Sequence, residues 1–198
     1  DGIDLQTQMV FSAPNLAGQW DAGSGVAARS IASNMWDFVV IQDRSSEAIA
    51  APEDFNSAVK GIMNQCHNEG ATVALFETWS CCPHGPGDTS CEPAYLQQTQ
   101  SQISGAYQFH AQQGPGKPYL MKVGEAFQKW RDDHPWHSPN ASPLTSDGCH
   151  ASREGTFLAA AIFFQALTGI RATEFPASAA LNVDGTKLEL ALARELLR

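Results

Sequence analysis

The sequence predicts an α/β fold with a parallel sheet whose strands are connected by helices. Two short apolar runs, residues 38–42 and 72–77, each end in a polar residue and are typical of strands that are buried on both faces. Each run is followed by a stretch with helical spacing of apolar residues, so strand and helix alternate along the chain. Strands separated by helices form parallel pairs, and ligands bind beyond the carboxyl ends of such strands. Polar residues that directly follow these strands are therefore the first candidates for a site.

The predicted helices begin and end at residues that favour helix termini. Pro52 begins a helix that Gly70 ends, and Ser152 is an N-cap for an apolar helix that ends near Gly169. Asp184-Gly185 indicates a turn before the last helix. In chain order, the predicted strands are residues 6–11, 38–42, 72–77 and 119–123. The predicted helices are residues 15–34 with a break at 23–25, then 52–69, 93–113, 125–131, 152–168 and 186–197.

Length and charge limit the classes of function. At 198 residues with 43% hydrophobic content, the chain can bury one sizeable core, so we expect a single domain over residues 1–198. Twelve Lys and Arg against 21 Asp and Glu give a net charge of −9, which disfavours nucleic acid and anionic membrane surfaces as partners. No stretch approaches the roughly 18 apolar residues that span a bilayer. We therefore predict no nucleic acid and no membrane among the partners.

Five cysteines indicate an oxidising compartment. Cys81, Cys82 and Cys91 lie in a loop rich in Pro and Gly, which predicts disulfides and a secreted or periplasmic protein. Adjacent cysteines rarely bond each other, so one of Cys81 and Cys82 is expected to reach Cys91 and the other a more distant partner such as Cys149. The alternative is a zinc site made of the three loop cysteines and His84, which lacks the paired spacing of structural zinc sites.

A candidate acid–base pair precedes the helix that Ser152 begins. Asp147 stands three positions before His150 in the run Asp-Gly-Cys-His. At this spacing a carboxylate can fix the tautomer of an imidazole and leave its other nitrogen free as a base. This pair is half of a nucleophilic hydrolase. The other half, a serine on a tight turn after the first strand, has no evident counterpart in the sequence.

Four segments resemble those of the SGNH (GDSL-type) hydrolase superfamily. They are Trp-Asp-Phe-Val-Val-Ile-Gln-Asp-Arg-Ser at 36–45, Glu-Thr-Trp at 77–79, Val-Gly-Glu-Ala at 123–126 and Asp-Gly-Cys-His-Ala-Ser at 147–152. The resemblance extends from about residue 6 to the last predicted helix. It implies a flavodoxin-like α/β/α sandwich that hydrolyses carboxylic esters, often acetyl esters on sugars, with no metal and no other cofactor.

The resemblance implies roles for individual side chains. His150 would be the general base and Asp147 the partner that orients it. Gln42 stands where the family places a side-chain donor to the oxyanion, and a well-placed donor of this kind is worth ~3–4 kcal/mol. Ser45 would help to shape the same loop. Three further residues are expected either to line an acyl or sugar pocket or to pack a long loop: Trp79, Trp136 and His137.

The chain departs from the family where the nucleophile should stand. The Gly-Asp-Ser or Gly-Asn-Ser after the family's first strand is absent, and residues 6–11 match the family's second strand. The oxyanion glycine of the second motif is replaced in Ser-Ala-Pro-Asn at 12–15, where proline has no amide hydrogen to donate. Within this sequence the nucleophile would have to be Ser12, Ser24 or Ser45. Without the first strand, either a separate N-terminal peptide or second chain completes the sheet, or the second and third strands close up.

Two hypotheses of function follow. The first is an SGNH-type serine ester hydrolase that acts on a small ester or an acetylated carbohydrate, with the serine supplied by a segment outside this chain. The second is a catalytically inactive relative that binds carbohydrate or peptide, or serves as a structural assembly subunit. The Asp147–His150 pair favours the first hypothesis, because the presence of both residues is easier to explain if they take part in catalysis.

Overall fold

The computed structural model describes residues 7–10, 14–45, 47–81, 93–134, 143–171, 182–183 and 186–187. Helices and strands alternate along this part of the chain, as the sequence predicts. The helices are α1 Leu16–Trp20, α2 Val26–Ser33, α3 Glu47–Ala50, α4 Pro52–Asn68, α5 Pro93–Gln113, α6 Val123–Asp133 and α7 Arg153–Thr168. The strands are β1 Phe38–Ile41, β2 Thr72–Phe76, β3 Tyr119–Met121, β4 Asn182–Val183 and β5 Thr186–Lys187. No helix in the described residues is long and apolar enough to cross a membrane.

The central sheet has three parallel strands in the order β1-β2-β3. Val40 lies opposite Ala74, and Leu75 lies opposite both Ile41 and Leu120. Because α4 connects β1 to β2 and α5 connects β2 to β3, each crossover runs through a helix, as parallel pairing requires. The predicted α/β fold with a parallel sheet is confirmed.

One face of the sheet packs against α4 and α5. Ile41, Val73 and Leu75 point to this face and are buried. α4 presents the apolar stripe that the sequence predicts, and the stripe ends at Cys66, a free cysteine that is fully buried. Burial of an apolar side chain is worth about 1.5–3 kcal/mol, so this stripe accounts for the position of α4.

The opposite face packs against α6 and α7, which completes the three-layer α/β/α sandwich. Ala74 and Met121 point to this face and are fully buried together with Phe127 of α6 and Phe157 of α7. α7 begins where the Ser152 side chain accepts a hydrogen bond from the Gly155 amide. It ends at Gly169, whose φ of +71° favours glycine.

Among the described residues, no helix covers part of this second face. Phe38 and Val40 on β1 are 44% and 50% exposed, and Tyr119 on β3 is 40% exposed. The rings of Phe38 and Tyr119 lie 6.2 Å apart between centroids, so the exposed side chains are neighbours. β1 is also an edge strand, because in the described residues it pairs only with β2. An open edge and a bare apolar surface therefore occur together at β1.

Two predicted elements are wrong where the structure describes them. Residues 7–10 form no strand, although residues 6–11 were expected to be one. The Ser30 hydroxyl donates a hydrogen bond of 3.2 Å to the Gln8 side chain. Thr186–Lys187 is a strand paired antiparallel with Asn182–Val183, where the sequence predicts the start of a helix. The rest of that predicted helix, residues 188–197, lies outside the described residues.

Candidate functional site

Residues 143–152, here called the histidine loop, connect to the start of α7. The loop is closed by a bridge between Thr145 and Ala151 and by a hydrogen bond of 2.9 Å from the Ser146 amide to the His150 carbonyl. Gly148 has a φ of +86°, a backbone conformation that favours glycine. This explains the glycine between the acidic residue and the histidine, because the chain must turn there to bring the two side chains together.

The Asp147 carboxylate is held by three hydrogen bonds from the loop itself. Its Oδ1 accepts from the amides of Cys149 at 3.0 Å and His150 at 2.7 Å, and its Oδ2 lies 2.6 Å from Nδ1 of the His150 ring. The hydrogen bond from the His150 side chain, followed by those from the two amides, lowers the pKa of Asp147 well below its ordinary range. The carboxylate is therefore ionised at any pH at which the protein would work.

An ionised carboxylate only accepts hydrogen bonds, so Nδ1 of His150 carries a proton and donates it. In the neutral ring the other nitrogen, Nε2, is then a base. Nε2 has no hydrogen-bond partner among the described residues, and the His150 side chain is 83% exposed. The loop thus presents a basic nitrogen of fixed tautomer to the solvent.

The histidine loop is attached to the segment that follows β2. The Trp79 indole N–H donates a hydrogen bond of 2.7 Å to the Cys149 carbonyl, and Cys81 forms a disulfide with Cys149. The structure therefore contains the long-range pair that the sequence left as one of two possibilities for Cys81 and Cys82. Cys82, His84 and Cys91 lie outside the described residues.

A group of buried polar residues, here called the Glu77 cluster, fixes the segment after β2. Glu77 is 0% exposed, and its Oε1 accepts from Gln100 Nε2 at 3.1 Å, the Ser104 hydroxyl at 2.9 Å and the Glu125 amide at 2.8 Å. Oε2 has no partner among the described residues. Burial is the main cause that raises the pKa of Glu77 to about 7 from its ordinary value of 4.5. The carboxyl therefore caps the N-terminus of α6 from another element and is largely neutral below pH 7.

Gln100 connects this cluster to the backbone near the histidine loop. Its Oε1 accepts a hydrogen bond of 2.7 Å from the Ser80 amide, and its Nε2 also donates to the Thr78 carbonyl at 3.2 Å. Arg131 donates to the Ser80 hydroxyl at 3.0 Å and to the Ser80 carbonyl at 2.9 Å. Sequence reasoning missed Glu77 and Gln100. The available signal was the position of Glu77 directly after a buried strand.

Gln42 follows β1 and is exposed. It makes no hydrogen bond with the described residues, so its amide is available to a ligand, and none joins it to the His150 ring. The neighbouring Asp43 is buried and structural: its Oδ1 accepts from the amides of Leu16 at 3.1 Å and Arg44 at 2.8 Å. Burial is the main cause that raises the pKa of Asp43. Ser45 is half-buried beyond it.

No serine hydroxyl of the described residues is bonded to Nε2 of His150. The Ser24 hydroxyl donates at 2.9 Å to both the carbonyl and the carboxylate of Asp21, where it helps to end a short 3-10 turn. Ser12 lies outside the described residues, as do Trp136 and His137. The geometry thus provides an acid–base pair, and it leaves the source of the nucleophile to be proposed.

The described residues contain no group of three or more His, Cys, Asp or Glu side chains that could hold a metal ion. Cys81, one ligand of the alternative zinc site, is joined to Cys149 instead. Zinc binds cysteine as a thiolate, and the sulfur of Cys81 is in a disulfide, so the zinc alternative that includes Cys81 is wrong.

Comparison with known structures gives the same fold. The protein resembles the crystal structure of a DUF4886 family protein from Bacteroides uniformis, with a TM-score of 0.58, 18% identity and coverage of 86% of this chain and 65% of that chain. It also resembles a candidate SGNH hydrolase from Slackia heliotrinireducens, with a TM-score of 0.60, 20% identity and coverage of 77% of this chain and 79% of that chain. No family model and no curated protein matches the sequence. The predicted SGNH-like fold is confirmed, and the chain spans 65% of the length of the Bacteroides protein and 79% of the length of the Slackia protein.

Proposed function

We propose that this chain supplies the acid–base residues of an SGNH-type serine ester hydrolase that acts on a small carboxylic ester, such as an acetyl ester on a carbohydrate. One observation carries the proposal: the Asp147 carboxylate holds Nδ1 of His150 at 2.6 Å and leaves Nε2 free and exposed. An SGNH-like fold supports it. Ligands of parallel α/β sheets bind beyond the carboxyl ends of the strands, and the histidine loop meets the segment after β2 at that end.

In the proposed reaction, a serine hydroxyl attacks the ester carbonyl while Nε2 of His150 takes the hydroxyl proton. Asp147 stays ionised and stabilises the imidazolium that forms, as its lowered pKa favours. The amide of Gln42 donates to the oxyanion, and Ser45 shapes the loop that carries Gln42. The protonated His150 then gives its proton to the leaving alcohol, and a water molecule hydrolyses the acyl-enzyme by the same route.

The serine in this proposal comes from a segment outside the chain, an N-terminal peptide or a second chain, that adds a strand to β1. The Thr72 amide donates to the Asp37 carbonyl at 2.9 Å, so Asp37 faces β2. Because successive strand residues alternate, the main-chain groups of Phe38 and Val40 face the open edge. A strand followed by a helix would pair with these groups and cover the exposed Phe38, Val40 and Tyr119. The extra length of the Bacteroides protein, of which 65% is covered, leaves room for such a segment.

A secreted or periplasmic location is part of the proposal. The Cys81–Cys149 disulfide supports it, since structural disulfides persist in oxidising compartments. The buried thiol of Cys66 is compatible with that location, because it has no cysteine partner and is shielded from oxidants.

Labelling with a serine-reactive phosphonate tests the source of the nucleophile, and hydrolysis of p-nitrophenyl acetate tests the base. In native material we expect the label on a serine of a peptide that copurifies with this chain. His150→Ala should lower hydrolysis about 10²- to 10⁴-fold, the usual contribution of a general base. No label on any associated peptide, together with equal hydrolysis by the variant, would overturn the proposal.

Exposed imidazoles hydrolyse activated esters without a site, so the background must be measured. His67 is an exposed histidine on α4, away from the histidine loop, and His67→Ala removes one imidazole without touching the proposed base. Its rate should equal that of the unsubstituted protein. A similar small loss for His67→Ala and His150→Ala would mean that the observed hydrolysis is non-specific.

The second candidate is a catalytically inactive SGNH-like protein that binds carbohydrate or peptide or assembles with another subunit. It is favoured by the Ser24 hydroxyl, which is engaged by Asp21, and by the absence of any serine bonded to His150 in the described residues. This candidate predicts that binding or assembly is unchanged in His150→Ala, which calorimetry or sedimentation can measure.

A further inference from the structure

We propose that Trp79 and the Cys81–Cys149 disulfide position the Asp147–His150 pair, and that Trp79 acts through the Cys149 carbonyl rather than by contact with substrate. The inference rests on the proposed function for its kinetic test only. It concerns two links that meet at one residue, Cys149, directly before the proposed base.

The hydrogen bonds of the histidine loop orient the His150 ring within the loop, but they do not fix the loop on the protein. All three bonds to Asp147 come from residues 149 and 150, and the Ser146 amide bonds the His150 carbonyl. The His150 side chain is 83% exposed, so burial does not hold the ring in place. The position of the pair relative to the sheet must be set by other contacts.

In the described part of the chain, the hydrogen bonds and covalent links from residues 146–150 to elements outside the loop are the Trp79 hydrogen bond of 2.7 Å and the disulfide from Cys81. Leu144, which is fully buried at the base of the loop, anchors its start but lies six positions from His150. The tip of the loop is therefore attached at Cys149.

The attachment is useful because residues 79–81 are themselves rigidly held. The Trp79 ring stacks on Phe127 with centroids 4.3 Å apart and an interplanar angle of 13°. Ser80, between Trp79 and Cys81, is fully buried and bonded by Gln100 and Arg131. A segment fixed to α5 and α6 thus carries both groups that hold Cys149, which connects the proposed base to one helix on each face of the sheet.

The two links restrain the same residue, so either one can compensate for loss of the other. We expect Trp79→Phe, which keeps an aromatic ring on Phe127 and loses the indole N–H, to lower kcat about two- to fivefold with KM unchanged. Loss of one hydrogen bond has this magnitude. We expect Cys81→Ala/Cys149→Ala to have a similar effect alone. The three substitutions together should lower kcat at least about tenfold more than the product of the separate effects.

A readout that needs no activity separates this inference from the proposed function. Amide order parameters of residues 147–150, measured by NMR relaxation, should fall from about 0.85 to below about 0.6 in the triple variant. The bond between Asp147 and Nδ1 of His150 lies within the loop, so the ring should keep its tautomer. If the order parameters of residues 147–150 fall in the triple variant and neither the unsubstituted protein nor any variant hydrolyses the ester, the positioning role is supported and the proposed function fails.

Trp36→Phe is the matched control, because the Trp36 indole also donates to a backbone carbonyl, that of Ser30 at 3.0 Å, in α2. It should change neither kcat nor the order parameters of residues 147–150. The inference would be overturned if Trp79→Phe raised KM and left kcat unchanged, as a substrate contact would, or if the triple variant left the order parameters unchanged. A lower melting temperature without change in loop mobility would also overturn it, since that result indicates a role in stability alone.

Discussion

Two carboxyl groups near the carboxyl ends of the strands, Asp147 and Glu77, each accept three hydrogen bonds but differ in burial and in the direction of their pKa shifts. Asp147 is exposed, and both of its oxygens accept hydrogen bonds, which lowers its pKa. Glu77 is buried, and one of its oxygens accepts three hydrogen bonds while the other has no partner in the described residues. Burial raises its pKa to about 7.

The difference shows how hydrogen bonding and burial set the charge of two carboxyl groups and, with it, their roles. Charge is retained where solvent reaches the carboxylate and donors surround it, so Asp147 can stabilise an imidazolium. Charge is suppressed where water is excluded, so Glu77 serves as an acceptor that joins β2, α5 and α6 without placing an anion in the interior. The exposed group carries the proposed chemistry, and the buried group supports the segment to which the histidine loop is attached.

The largest expected effect follows substitution of the exposed group. Asp147→Asn should lower kcat about 10²- to 10⁴-fold, because an amide in place of Oδ2 would present a donor to Nδ1 and favour the wrong tautomer of His150. Stability should change little, since the group is exposed. Ester hydrolysis by the active form measures the loss. Asp133→Asn, which alters an exposed carboxylate paired with Lys129, is the control and should be silent. Equal activity of the two variants would contradict the role of Asp147.

Substitution of the buried group should affect stability instead. Glu77→Ala leaves Gln100, Ser104 and the Glu125 amide without their acceptor, at a cost of about 2–4 kcal/mol in the free energy of unfolding. Urea denaturation measures it. Glu125→Ala removes a neighbouring exposed carboxylate that pairs with Lys122 and should cost less than about 1 kcal/mol. If the two variants were equally stable, the Glu77 cluster would not support the fold as described.

The last expected effect is a dependence on pH, which is small near pH 4.5 and grows as pH rises. Unfolded protein releases the Glu77 proton near pH 4.5, whereas the folded protein holds it to about pH 7, so stability falls as pH rises between these values. Glu77→Gln keeps an acceptor and has no proton to lose. Relative to the unsubstituted protein, its free energy of unfolding should be similar near pH 4.5 and higher by up to about 3 kcal/mol at pH 8. Parallel stability curves for the two proteins would show that Glu77 ionises freely.

The fold was predictable where the local pattern is sufficient. The helix predicted at 93–113 is α5, and the helix predicted at 52–69 is α4, because both follow from spacing and terminal residues. The strand expected at 6–11 fails for residues 7–10 because strand composition reports a preference and cannot supply a neighbour to pair with. The residue pair Asp-Gly at 184–185 is typical of hairpin sequences, and β4 and β5, which flank it in the chain, pair antiparallel although a helix was expected from residue 186.

The candidate site was predictable in part. A carboxylate and an imidazole three residues apart interact within a single turn, so Asp147 and His150 could be paired from the sequence. Gln100 could not, because it is one of several glutamines on α5 and its partners lie about twenty residues away in the chain. The roles of Gln42 and Ser45 stay predictions, since neither has a ligand or a described partner that reports its use.

The alkylation rate of the buried Cys66 thiol can measure transient opening of the core. Burial raises the pKa of its thiol to about 11, and only a thiolate reacts with alkylating reagents, so native protein should protect this position. Peptide mapping of Cys66 after timed exposure to iodoacetamide would therefore record how often the helix between β1 and β2 detaches from the sheet. Alkylation of Cys66 therefore reports transient opening of the core at a position remote from the histidine loop.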